Sequence, residues 1–151
     1  MLAAGVLVGL GTDGAASNND LDMWEEMRLA SFLQKVDRMD PEVLPATTVL
    51  SMATSGGATA IGLGDSIGSL EAGKQADLIQ VAFEDVHHVP TYDVISHLVY
   101  VNDEQDVASV VVDGKVLMKE REMLTIDTDR VRAEATALAA QIQAALKERN
   151  R

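Results

Sequence analysis

At 151 residues the chain is long enough for one domain with a core of its own, or for two small pieces. Its apolar fraction of 47% argues against disorder, and a net charge of −12, from 12 Lys and Arg against 24 Asp and Glu, argues against nucleic acid or an anionic membrane as a partner. There is no cysteine, so disulfides and thiolate metal sites are excluded, which fits a reducing, cytoplasmic setting.

The opening Met1–Val8 is apolar but has no basic residue ahead of it, so it does not read as a secretory leader. Val6–Leu10 is a short continuous apolar run closed by Gly11 and Gly14. It predicts a strand buried on both faces, as in a parallel sheet or a barrel. Ser17-Asn18-Asn19-Asp20 is rich in helix-capping types, and a helix is expected from about Leu21 to Val36. Met23, Met27, Ala30 and Leu33 recur along it at helical spacing beside Trp24, and they read as core. A second helix is expected over Ala46–Ala53, interrupted by Ser55-Gly56-Gly57, with a short helix through Ala58 to Ile61.

Near Asp65 the pattern changes. Ser69–Lys74 reads as a turn, and Asp77–Phe83 and His97–Val101 as strands. Ala108–Val112, Asp113-Gly114 and Lys115–Met118 carry the strongest short hairpin signal in the chain. A last strand is expected near Met123–Ile126. A closing helix follows over Asp129–Arg149, capped by Thr128, with a stripe of Val131, Ala135, Leu138, Ile142 and Leu146. The divisions are 1–64, 65–128 and 129–151. A single buried strand in the first of these has unpaired backbone groups that need neighbours, so its partners are expected outside these residues.

Two sets of residues invite a chemical reading. Asp13 in Thr12-Asp13-Gly14 is, on spacing alone, a turn residue. Ser17, Asn18 and Asn19 read as loop and capping groups, with substrate contact as the alternative. His87-His88 reads as an exposed loop pair, with a surface metal as the alternative.

Gly9-Leu10-Gly11-Thr12-Asp13-Gly14-Ala15-Ala16-Ser17-Asn18-Asn19 resembles the last barrel strand and loop of the amidohydrolase superfamily. The continuation Leu21-Asp22-Met23-Trp24-Glu25-Glu26-Met27-Arg28-Leu29-Ala30 is similar to the methylthioadenosine/S-adenosylhomocysteine deaminase and triazine hydrolase branch. Ile67–Leu78, Ser96–Tyr100 and Val110–Lys115 fit the same branch in the right order. The fold this resemblance implies is α/β: the C-terminal part of a metal-dependent (β/α)8 barrel, part of its appended β-sandwich, and a closing helix.

The resemblance also implies an active site at the barrel mouth, with Asp13 as the metal-proximal aspartate that serves as metal ligand, substrate contact and catalytic acid/base. Zn2+ there would lower the pKa of a bound water, and the hydroxide would attack a ring carbon of a nucleoside or heterocycle. The family's His-x-His pair, further histidines and glutamate acid/base have no counterpart in this sequence. His87, His88 and His97 match none of its ligand positions. By the resemblance the chain is roughly the last third of such an enzyme, and it is expected to be inactive and to hold no zinc when isolated. The rivals are a triazine-type ring hydrolase and a non-catalytic remnant that self-associates through exposed apolar faces into a homo-oligomer.

Overall fold

The computed structural model describes residues 1–149, so the last two residues of the expected 129–151 segment lie outside the described residues. After a short 3-10 turn at Leu2–Ala4 the elements are α1 (Ala15–Asn18), α2 (Met23–Arg38), α3 (Ala46–Ala53), α4 (Ser55–Ala60), β1 (Leu78–Val81), α5 (Val94–Tyr100), β2 (Val107–Val112), β3 (Lys115–Lys119), β4 (Glu122–Met123) and α6 (Thr128–Arg149).

The helix α2 starts where Asp22 accepts a hydrogen bond from Trp24 N–H at 2.8 Å. Glu25 and Glu26 in its first turn and Lys35 and Arg38 in its last complement its dipole. It stops at Met39, which takes a left-handed conformation and returns its N–H to the Lys35 and Val36 carbonyls. Its buried face carries Trp24 and Met27 as the spacing predicts, with Met23 and Ala30 half-buried, but Leu33 of the expected stripe is 62% exposed.

Trp24, Met27, Ala46, Val49, Val99 and Val107 form one core joining α2, α3, α5 and β2, with Leu10, Leu98, Tyr100, Val110 and Met118 packed against it. Trp24 Nε1–H donates to the Leu98 carbonyl at 2.8 Å, so the indole is buried without leaving its donor orphaned. Replacing Trp24 by alanine removes both the packing and this bond. The expected loss is about 3–5 kcal/mol, read as a fall in the urea midpoint.

The four strands make one antiparallel sheet in the order β1-β2-β3-β4. The β2–β3 connection is the expected two-residue hairpin: Asp113 and Gly114 both have positive φ, 50° and 72°. That geometry matches the right-handed twist of the strands it joins. The β4 strand is Glu122–Met123, so it shares only Met123 with the expected Met123–Ile126 region.

Several expectations are corrected. Val6–Leu10 is not a strand; among the described residues it pairs with no other strand, and its N–H groups are tied down only at its ends, Val6 to the Met1 carbonyl at 3.3 Å and Leu10 to the Met52 carbonyl at 3.2 Å. Val6 and Leu7 are 48% and 62% exposed rather than buried. An apolar run becomes a barrel strand only when neighbours take its backbone groups. His97–Val101 is not a strand either, because it lies in or just beyond the helix α5. Asp93 caps that helix by accepting from Ser96 N–H at 2.7 Å, and a short apolar run with a good cap upstream is as compatible with helix as with strand.

Gly56 and Gly57 do not break the helical stretch. The break is at Thr54, with φ −129° and ψ −109°, and both glycines lie inside α4. Gly57 is needed for close approach, since a Cβ there would sit 2.6 Å from the Met52 carbonyl oxygen. At the closing helix the cap is Asp127, which accepts from Arg130 N–H at 2.9 Å, and Thr128 is already helical. None of the described residues of α6 is buried, so its stripe faces solvent in this chain.

Candidate functional site: the Asp13 loop

The extended segment up to Thr12 is brought alongside α4 by two glycines. A Cβ on Gly9 would meet the Gly57 Cα at 3.1 Å, so the backbones approach more closely than side chains allow. At Asp13 the chain turns with φ 56°, a conformation that Asp tolerates better than most residues, and Gly14 then opens the single turn α1. The Asp13 side chain is thereby held at the exposed end of the segment.

Ser17 Oγ–H donates to Asp13 Oδ2 at 2.7 Å, one turn ahead. That bond, with a second from the Gly14 N–H, holds the Asp13 carboxyl below the usual carboxylate range. The group is therefore an ionised, solvent-facing oxygen donor at neutral pH. Of the neighbouring polar residues, Asn18 Nδ2–H donates to Glu26 Oε1 at 2.5 Å, tying α1 to α2, and Asn19 closes α1 with φ 70°. Ser17 and Asn18 thus engage in loop bonding.

An exposed carboxylate suits one coordination position of a divalent metal, but catalytic zinc takes about three protein ligands. Among the described residues no set of three His, Asp or Glu side chains gathers around Asp13. These residues do not make a complete zinc site by themselves. A hollow of about 880 Å3 runs between Gly9–Gly11, the Gly57–Ile61 region and the β1–β2 face, and Asp13 is not in its lining.

The described residues do form one three-ligand group, at a place read in the sequence as an exposed loop pair. His88 is 1% exposed and Asp106 2% exposed, and both meet His87. The pair is therefore half buried rather than free on the surface. Nothing local marks His88 as buried, because its partner lies eighteen residues downstream. His97, placed on α5, packs its ring 5.7 Å from that of His88, and its Nε2 is buried without a partner.

The amidohydrolase family model matches residues 1–117. The chain belongs to the amidohydrolase family. It is 55% identical over 139 residues to the 5-methylthioadenosine/S-adenosylhomocysteine deaminase of Desulforudis audaxviator, covering 91% of this chain and 32% of that protein. To the protein of the same name from Syntrophomonas wolfei it is 49% identical, covering 92% of the chain and 32% of the relative.

Among solved structures, the zinc-bound adenosine deaminase of Xanthomonas campestris superposes with a TM-score of 0.90 at 42% identity, covering 95% of this chain and 33% of that one. The zinc complex of the atrazine chlorohydrolase of Arthrobacter aurescens superposes at 0.79 with 34% identity, covering 91% and 30%. The chain thus spans about a third of the length of the curated relatives it matches. Its α/β architecture is that of part of the amidohydrolase barrel with the appended sheet and closing helix. Zinc is the metal bound in these structural relatives. Among the described residues no helix is long and apolar enough to cross a membrane.

Proposed function

We propose that this chain supplies the Asp13 corner of a zinc-dependent aminohydrolase acting on an adenine nucleoside thioether of the methylthioadenosine/S-adenosylhomocysteine type, in the cytoplasm. The 55% identity over nearly the whole chain to a deaminase of that name carries the reading. In support, Asp13 is ionised, exposed and fixed by Ser17 and by the Gly14 turn.

Zinc, when bound, supplies an activated water. The part proposed for Asp13 is to ligate, to contact substrate, and to hold a proton at one Oδ atom on its way to the departing ammonia. Residues 1–64 would then be barrel, 65–128 the appended sheet domain and 129–151 the closing helix, whose apolar stripe packs on the rest of the enzyme. The isolated chain, with one carboxylate at the site, is proposed to be inactive.

A graft tests this. The matching third of the Desulforudis audaxviator relative is replaced by this chain, and ammonia release is followed with methylthioadenosine and S-adenosylhomocysteine. Turnover is expected. A folded, zinc-loaded graft that releases no ammonia contradicts the reading. The second reading, a triazine-type ring hydrolase, is favoured by the superposition on the atrazine chlorohydrolase. It predicts chloride release from atrazine when this chain instead replaces the matching third of the Arthrobacter aurescens atrazine chlorohydrolase.

A further inference from the structure

We propose that His87, His88 and Asp106 form a second divalent-metal site, of zinc-binding chemistry, separate from the Asp13 loop. Two donors each about 2.0–2.1 Å from a tetrahedral zinc stand about 3.3 Å apart. His87 Nε2 lies 3.5 Å and His88 Nε2 3.2 Å from Asp106 Oδ2. The three donor atoms all fall within 4.8 Å of one another.

Hydrogen bonding alone satisfies the cluster poorly. His88 Nε2 faces Asn102 Nδ2 at 2.8 Å and Asp106 Oδ2 at 3.2 Å. A ring nitrogen that accepts from the amide presents its lone pair to the carboxylate, and one that donates to the carboxylate meets an amide donor. His88 Nδ1 and Asn102 Oδ1 are both buried without a partner. A cation removes the conflict, because the lone pairs of the imidazoles and the carboxylate then converge on it.

Access and charge agree. His87, with its side chain 49% exposed, sits at the edge of a hollow of about 560 Å3 that Asp85, Asp103 and Glu104 also line. Arg121 is the cation on that wall, and it is turned toward the Gln105 carbonyl and Asp85. Two imidazoles with a carboxylate and no thiolate suit Zn2+, with Co2+ a usable spectroscopic stand-in. The bound ion would tie the turn at Val86–His88 to the turn at Glu104–Asp106, where β2 begins.

The test uses the full chain after chelator treatment, titrated with ZnCl2 by calorimetry and with Co2+ by visible absorption. One equivalent of tightly bound metal is expected, with a Tm that rises with zinc concentration. His87→Ala, which alters a half-exposed side chain, should fold normally and bind at least tenfold more weakly. Asp13→Asn should leave affinity unchanged. Three outcomes overturn the proposal: no stoichiometric binding, binding indifferent to His87→Ala, or binding lost in Asp13→Asn.

Discussion

Asparagine at position 13 should lower kcat for ammonia release by about 10²–10⁴-fold in the grafted deaminase, the range that a positioned acid/base group contributes. The substitution keeps the shape and the capacity to accept from Ser17 Oγ–H, which lies 2.7 Å from the Asp13 carboxylate. It removes the negative charge and the ability to take up a proton. Asp13 is exposed and belongs to no core cluster, so the urea midpoint should stay within the range of ordinary surface substitutions. Ser17→Ala should be milder, because it frees the Asp13 side chain to rotate without removing it. A variant at position 13 that retains full kcat while binding zinc normally would reduce Asp13 to a turn residue.

Alanine at position 106 should destabilise the chain by on the order of 2–5 kcal/mol, since each buried donor left without its acceptor costs about 1–3 kcal/mol. Asp106 accepts from Asn102 Nδ2–H and from Asp103 N–H, both at 3.0 Å, and stands beside His87 and His88. Burial pushes its carboxyl upward, but the bonds from Asp103, Asn102, His87 and His88 outweigh that and hold it below the ordinary value.

The sign of the pH dependence follows. With the folded pKa below the unfolded one, the carboxylate's contribution is complete above an unfolded value of about 3.9 and is lost as pH falls through the folded value. The carboxylate's part of the gap in urea midpoint between the native chain and Asp106→Ala should therefore be lost below about pH 4. A gap that persists unchanged at lower pH would mean that Asp106 stabilises by packing and not as an anion.

Elements whose signals are local were legible in the sequence. The Asp113-Gly114 hairpin needs only two residues that tolerate positive φ. The helix α2 needs a cap, a dipole-matched charge order and a periodic apolar face, and each is visible between Asp22 and Arg38. What was misread depends on partners distant in sequence. Val6–Leu10 has strand composition, but its backbone groups find no neighbouring strand among the described residues. The run around His97 carries both strand and helix signals, and Asp93 decides for helix by capping it.

His88 is the clearest case. As a histidine among polar and loop residues it reads as exposed, yet the fold buries it against Phe83, Asn102 and Asp106. Asn102 is itself anchored at its carbonyl by Arg28 of α2, at 2.6 Å. Asp13 was legible for another reason: a distinctive run of loop residues surrounds it, and its role was inferred from that resemblance and not from its spacing.

The most direct measurement is a crystal structure of the grafted protein with zinc, the metal located by its anomalous scattering. The account predicts an Asp13 carboxylate oxygen about 2.0–2.2 Å from a zinc ion at the barrel mouth. Zinc bound in that mouth with Asp13 turned away into its loop bonds would contradict it.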